Sequence, residues 1–327
     1  MKARIPRLAG LFLALCAAAG ALAQSQEADP SFDPRVERPA YRAGAGPLVT
    51  IDAAHRNFHT ADGRYQPFAR LIASDGYRIV SGTGPFTRQG LARTRILVIA
   101  NAGSLNAAAT DQPAFTDAEC DAVAAWVRRG GALLLIADHS PFGRAAQSLA
   151  ARFGVRMGEG WVFEPQPAAS FMTTQLIYSR ENGRLGTHPI VRGRDASELV
   201  STVKAFTGQS LTLPRGATAL MRLGPDAHEA RDAAALGAVA AALRGGWSAE
   251  AARATGATPV GGRVQGLAMR HGRGRVVVLG EAAMLSAQIV RLPGEGGRTF
   301  TMGMNHPGID NRRFALNIMH WLSGRLD

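Results

Sequence analysis

The chain of 327 residues has only two cysteines, Cys16 and Cys120, and only two lysines, Lys2 and Lys204, among its 37 basic residues. Beyond its first two dozen residues it has no apolar run approaching the roughly 18 residues of a membrane span. Each scarcity excludes something. Met1–Ala23 joins Lys2, Arg4 and Arg7 to the apolar run Leu8–Ala19 and closes on Ala21-Leu22-Ala23 ahead of Gln24, the pattern of a secretory signal peptide cleaved after Ala23. Cleavage removes Cys16 and leaves Cys120 without a partner, so no intramolecular disulfide is expected in the exported protein, and stability must come from the core. Leu15 stands where a lipoprotein signal needs a small residue before the cysteine, so neither a lipid anchor nor stable membrane insertion is expected. The formal charge of +12 falls to +9 without the three leader cations. It is carried by scattered arginine with no basic run interleaved with aromatics, so nucleic acid is not an expected partner.

Residues 24–46 carry prolines and charges without an apolar period, which predicts a linker or an arm laid over the domain. From Pro47 the pattern becomes regular. Leu48–Ile51 reads as a strand ending at Asp52, and Phe68, Leu71 and Ile72 mark one face of a helix stopping near Gly76. Tyr77–Val80 and Arg95–Ala100 are further strands, the latter apolar throughout, as in a sheet covered on both faces. Thr116-Asp117-Ala118-Glu119 fits a capping box for a helix ending at Gly130-Gly131, with Cys120, Val123, Ala124 and Val127 on its inner face. The strand Ala132–Ala137 follows, then a helix with Ala146, Leu149, Ala150 and Phe153 inward. This order predicts an α/β fold built on a doubly wound, mostly parallel, flavodoxin-like sheet. Shorter β-like pieces after residue 155 predict an antiparallel elaboration, an insertion over about 155–260 within one domain spanning 47–327. It includes an Ala-rich stretch, Ala227–Ala254, of weak helical character. A hairpin, Val264–Arg270 against Arg275–Leu279, and a last helix from Asp310 or Asn311 complete the pattern, with His320 opposite that helix's apolar stripe on a solvated face.

Polar residues gather where these strands end. Asp52, His55 and Asn57 follow the first strand, Asn101 the third, Asp138, His139 and Ser140 the Leu-rich strand, and Glu281 the strand Val276–Gly280. In a parallel sheet those ends share one edge, where α/β proteins build their ligand crevice. The stretch 298–311, with Asn305, His306 and Asp310, is placed to close over it as a lid, and Gly303 and Gly308 permit the movement. Each residue also has a plain alternative. Asp138 caps the next helix and His139 bonds a loop carbonyl; His188 before Pro189 is a strand-entry residue; Cys120 is core rather than nucleophile. Ser140 occupies an elbow position but lacks Gly-x-Ser-x-Gly, and Pro141 removes an amide that would face an oxyanion. The preferred chemistry uses His139 or His55 as general base toward water, oriented by Asp138 or Asp52, with Glu281 as acid. The same imidazoles and carboxylates also suit a divalent metal with an open position, and the sequence does not choose between the two.

At Trp126–Gly131 leading into Leu134–His139, and again at Gly280-Glu281-Ala282-Ala283 and Asp310-Asn311, the chain resembles uncharacterised exported bacterial proteins of the class I glutamine amidotransferase-like superfamily. The likeness spans most of Pro47–Leu322 and implies a flavodoxin-like sheet. Amidotransferases of this superfamily carry a Cys at the elbow and a His two residues before a Glu. Here the elbow offers His139-Ser140, and residue 279 is Leu two before Glu281, so glutamine hydrolysis by a Cys triad is not expected. Triad-less relatives, ThuA-like proteins and sheet domains of β-galactosidases, are nearer and imply a carbohydrate connection. The expectation is a periplasmic or secreted protein whose crevice binds, and in the catalytic reading hydrolyses, a small polar or carbohydrate-like ligand. The rival is a non-catalytic interaction module of the cell envelope.

Overall fold

The structure, a computed structural model, describes residues 25–105, 112–291 and 299–327. The expected leader, residues 1–23, and the first residue of the expected lid, Arg298, lie outside that set. In chain order the elements are β1 (Ser25–Ala28), β2 (Leu48–Asp52), α1 (Gln66–Ser74), β3 (Arg78–Gly82), β4 (Ile96–Ala100), α2 (Asp117–Arg128), β5 (Ala132–Ile136) and α3 (Phe142–Ala151). Then come β6 (Trp161–Gln166), β7 (Phe171–Thr173), β8 (Leu176–Ser179), α4 (Pro189–Arg192), β9 (Thr202–Ala205), β10 (Thr218–Arg222), β11 (His228–Ala230), α5 (Ala233–Gly245) and α6 (Ala249–Ala254). The chain continues with β12 (Thr258–Pro259), β13 (Val264–His271), β14 (Gly274–Leu279), β15 (Ala287–Arg291), β16 (Thr299–Gly303) and α7 (Asn311–Ser323).

The main sheet runs β10-β13-β14-β5-β4-β2-β3. Its members from β14 to β3 are parallel, while β13 and β10 join by antiparallel pairing. Both β4 and β5 are buried at every position, which is why their sequences are unbroken runs of apolar residues. Side chains alternate between two cores. Val49, Ile51, Ile96, Val98, Leu134 and Ile136 meet Phe68, Leu71 and Ile72 of α1 and Phe314 and Ile318 of α7. Leu97, Ile99, Leu133 and Leu135 meet Cys120, Val123 and Val127 of α2 and Leu149 of α3. Helices therefore cover both faces, and each fully buried Leu, Ile or Phe contributes about 1.5–3 kcal/mol.

The start of α2 is the expected capping box: the Thr116 hydroxyl accepts the Glu119 amide while the Glu119 carboxylate accepts the Thr116 amide. The sheets outside the main one are small and antiparallel: β12-β11-β6-β7, β8-β9, and β1-β15-β16. The Ala-rich stretch resolves into β11, α5 and α6, and α5 packs Leu236, Val239 and Leu243 on Phe163 and Ala230. The amino-terminal segment is an arm. Ser25–Ala28 pairs with β15, and Phe32 is buried in the same core as α1 and α7. Two expectations about histidines differ from the structure. His188 is not a strand-entry residue but the cap of α4, its Nδ1 accepting the Ile190 amide at 3.2 Å. His320 is 2% exposed rather than solvated, because α7 is covered on a second side and Asp75 offers its imidazole a carboxylate at 2.7 Å.

Candidate functional site

Because β2, β4, β5 and β14 are parallel, their carboxyl ends bring Asp52, Asn101, Asp138 and Glu281 to one edge of the sheet. All four are buried. Buried polar groups must find partners, and the partners they find divide the edge into two joined clusters.

The first cluster surrounds His55. Its Nδ1 lies 2.9 Å from both oxygens of Asp52, and its Nε2 lies 3.0 Å from Oε1 of Glu119, three residues into the α2 cap. Phe86 and Phe115 pack against the ring, at 4.4 and 4.9 Å between centroids. Burial is the largest influence and pushes the imidazole pKa down, but Asp52 and Glu119 together outweigh it and raise it above 6.5. For Glu119 burial likewise acts upward, yet bonds from Thr116, His55 and Phe86 bring its pKa to about 2. Asn57 accepts the His55 amide through Oδ1 at 3.1 Å, while its Nδ2 is buried without a partner. Beside His55 lies a cavity of about 360 Å³, walled by Ala54, His55 and Arg56 after β2 and by Pro113–Thr116 ahead of α2.

The second cluster is centred on Asn101. Its φ of 49° is a left-handed conformation that asparagine tolerates better than most residues, and it turns the chain as β4 ends. Its side chain accepts the Asp138 amide at 2.8 Å and meets His59 Nδ1 at 3.2 Å. Burial, helped by the charge of Arg64, lowers the His59 pKa to about 3. Glu281 is fully buried, with Oε1 accepting the Ala283 amide at 2.9 Å and Oε2 the Met284 amide at 2.7 Å. Burial first, and the Asp138 charge second, raise its pKa well above 4.5 against the opposing pull of those amides. The buried Tyr65 hydroxyl donates to the Ala282 carbonyl at 2.8 Å and feels both Glu281 and Asp138. The backbone joins the clusters: Gly103 donates to His55 and Phe58 to Asn101, each at 2.9 Å.

Asp138 does not cap α3, whose N-cap is Pro141; its Oδ1 accepts the His139 amide at 2.8 Å. His139 holds the Ser140 carbonyl through Nδ1 at 2.8 Å and stacks on Trp161, with centroids 4.8 Å apart and planes at 19°. The Ser140 amide donates to the Gly160 carbonyl at 3.4 Å. Asn305 and His306 belong to another neighbourhood. Asn305 donates to Asp29 at 2.8 Å and to the Gln288 carbonyl at 3.2 Å, while His306 Nδ1 meets the Thr301 carbonyl at 3.0 Å and its Nε2 lies 3.3 Å from Lys204. The segment from Thr299 to Gly303 pairs with β15 as β16.

Three partners escaped the sequence reading. Glu119 was legible as a cap but not as a ligand of His55. Tyr65 closes the Glu281 loop from the start of α1. Gln209, fully buried, donates to the carbonyls of Ala137 and Asp138 at 2.8 and 3.0 Å and accepts the Glu159 amide at 2.8 Å. It fits only because position 143 is glycine, where a Cβ would stand 2.2 Å from its Oε1. Nothing in the local pattern around residue 209 marks it, since its partners are all distant in sequence. Among the described residues no group of three or more His, Cys, Asp or Glu side chains is arranged to hold a metal ion. No helix among them is long and apolar enough to cross a membrane.

No protein-family model matches the chain, and no curated protein does. Solved structures resembling it include the mmIFT52 N-terminal domain, at 15% identity and a TM-score of 0.55, covering 84% of this chain and 97% of that one. They also include a putative ThuA-like protein from Bacteroides uniformis, at 12% identity and TM-score 0.44, covering 88% and 95% of the two chains. Another is an exo-β-1,4-mannosidase from an Opitutaceae bacterium, at 15% identity and TM-score 0.35, covering 73% of this chain and 32% of the enzyme. At these identities the likeness is one of fold: a mixed α/β chain with a mostly parallel seven-stranded sheet and antiparallel additions.

Proposed function

We propose that this chain is an exported protein that binds a small polar, carbohydrate-like ligand at the carboxyl edge of its parallel sheet. The observation that carries the reading is the cavity of about 360 Å³ beside His55. Its walls come from the loop after β2 and the segment between β4 and α2, and α1 and α2 lie on opposite faces of the sheet. That is the point where the winding reverses and where open α/β sheets receive ligands. The order β3-β2-β4-β5-β14 supports reading the sheet as flavodoxin-like. Asn57 accepts the His55 amide at 3.1 Å and so helps position the residue that walls the cavity. Asp52, which holds His55, and Asn101, Asp138, His139 and Ser140 lie along the same edge, beyond the residues that wall the cavity.

A hydrolytic reading draws on a separate observation. Glu281, whose pKa burial and the Asp138 charge raise, stands near a second carboxylate, the pairing that acid–base chemistry on a glycosidic or ester bond requires. His55 serves poorly as a base for water, since both ring nitrogens are already taken by carboxylates. The test is saturation-transfer NMR with neutral mono- and disaccharides on the wild type and on Asn57→Ala and Asp138→Asn, together with hydrolysis of 4-nitrophenyl glycosides. Saturation transfer to a sugar in the wild type, weakened by about tenfold or more in Asn57→Ala at an unchanged melting temperature, is expected. Undiminished binding in both variants refutes the site. Loss of stability with no sugar bound by any protein supports the interaction-module rival instead. Release of 4-nitrophenol abolished by Asp138→Asn is the result the hydrolytic reading needs.

A further inference from the structure

Of the 37 basic residues only Lys2 and Lys204 are lysines, and a lysine can give up its charge near neutral pH where an arginine cannot. Lys204 lies in β9 directly opposite Ile177 of β8, so the two side chains share one face of that antiparallel pair. Val203 and Ala205 point the other way, into the core. The shared face reaches solvent, with Ile177 48% exposed and Lys204 half-buried. Among the described residues no carboxylate pairs with the ammonium. Asp310 serves the Ser201 and Thr202 amides and Arg313, Asp29 serves Ser31 and Asn305, and Glu281 serves the Ala283 and Met284 amides.

The partner of Lys204 is an imidazole: its Nζ lies 3.3 Å from Nε2 of His306. That ring is held from behind, with Nδ1 3.0 Å from the Thr301 carbonyl. A carbonyl oxygen only accepts, so Nδ1 carries the ring proton and Nε2 turns its lone pair to the amine. Phe206 packs against both groups, its ring centroid 5.2 Å from Nζ and 5.5 Å from that of His306. Burial lowers the Lys204 pKa from 10.5. Burial first, and the Lys204 charge second, lower that of His306 from 6.5 against the opposing pull of the Thr301 carbonyl. An amine, a base within reach of it and a third group that orients the base are the parts of an activated nucleophile.

We infer that Lys204 is a nucleophilic amine that captures a small aldehyde as an imine, with His306 Nε2 as the base that takes and returns its protons. Once the ammonium proton has passed through His306 to solvent, the Lys204 lone pair bonds to the carbonyl carbon as the C=O π pair moves to oxygen. His306 carries one amine proton to that oxygen, which gives a carbinolamine. The second amine proton follows the same route to the hydroxyl, which leaves as water while the nitrogen lone pair closes the C=N bond. No oxidant or reductant is consumed. The site stands apart from the sheet edge and does not depend on the function proposed there.

The test is trapping of the imine on the full chain with glycolaldehyde and cyanoborohydride, in the wild type and in His306→Gln, with Nα-acetyl-lysine amide as the free-amine reference. Peptide mass spectrometry separates Lys204 from the chain's other amines, and circular dichroism checks the fold of the variant. At pH 7 the adduct at Lys204 is expected to form at least about fivefold faster than on the reference, since an amine pKa lowered by one unit leaves about tenfold more free amine. The folded His306→Gln is expected to react at least about tenfold more slowly than the wild type. The wild-type rate should also level off at a lower pH than the reference rate does. Four results overturn the inference: no adduct at Lys204, a rate there no faster than the reference, a rate that levels at the same pH as the reference, or an unchanged rate in the folded variant. If His306→Gln does not fold, the first three decide on the wild type alone.

Discussion

Two imidazoles in this molecule are each set between two carboxylates, and they have different consequences. His55, at the carboxyl edge of the sheet, is bonded on both nitrogens, to Asp52 at 2.9 Å and to Glu119 at 3.0 Å. His320, on α7, is bonded on one, to Asp75 at 2.7 Å, with Glu198 standing off at 3.9 Å. Glu198 is drawn away by Arg194, whose guanidinium it also serves. Among the described residues no other cation pairs with Glu119 in that way, and its other bonds, from Thr116 and Phe86, hold it toward His55. A satisfied imidazole ties the loop after β2 to the start of α2. The other leaves His320 Nδ1 buried without a hydrogen bond. The same three residue types thus make a closed brace in one place and a half-made one in the other, and the difference lies in what else binds the second carboxylate.

The largest effects come from breaking each arrangement outright. His55→Ala leaves Asp52 buried without its imidazole partner, and His320→Ala does the same to Asp75; each is expected to lower unfolding free energy by about 3 kcal/mol in urea titrations. Double-mutant cycles then sharpen the contrast. The His55–Glu119 pair should show a coupling of about 1–2 kcal/mol and the His320–Glu198 pair less than about 0.5 kcal/mol. Equal couplings would erase the distinction drawn here.

A smaller effect is read from pH. The His55 pKa is raised above its unfolded 6.5, so its stabilisation is complete below that pH and lost as pH rises through the folded value. Glu119, lowered from 4.5 to about 2, stabilises above pH 4.5 and loses its contribution as pH falls toward 2. Glu281, with its raised pKa, adds its own loss of stability as pH rises above 4.5, so the His55 share is read as a difference. Urea midpoints of the wild type should fall more steeply than those of His55→Gln as pH is raised from about 6 to about 9; parallel profiles would remove the charge from the His55 brace. The smallest single-substitution effect on stability is expected for Thr116→Ala, about 1 kcal/mol for the lost cap. It should also shift the His55 titration followed by NMR, because Glu119 loses the hydroxyl that helps position it; an unmoved titration would show that the cap and the brace are independent.

Much of the main sheet was legible because its signals are local. The unbroken apolar runs of β4 and β5, the Thr116–Glu119 capping box, and the stripe Phe314, Ile318 and Leu322 of α7 each lie within one helix or one strand. The edge residues Asp52, Asn101, Asp138 and Glu281 were legible for the same reason, as polar residues at the ends of apolar runs. His320 was misplaced because helical spacing describes one buried face, and the arm, Asp75 and the segment 194–198 cover another. Gln209 and Tyr65 carried no mark because a buried hydrogen bond to a distant backbone has no period.

By itself the sequence determined the alternation of strand and helix, the covering of the sheet on both faces, and the edge at which polar groups would lie. All three follow from hydrophobic period and from the parallel direction that helical crossovers impose. Only the tertiary structure decided which polar groups would spend their bonds on one another, as His55 does with Asp52 and Glu119, and which would keep a buried atom without a hydrogen bond, as Asn57, Asn317 and His320 do. That outcome depends on distances of a few tenths of an ångström between segments far apart in the chain, which no local pattern encodes.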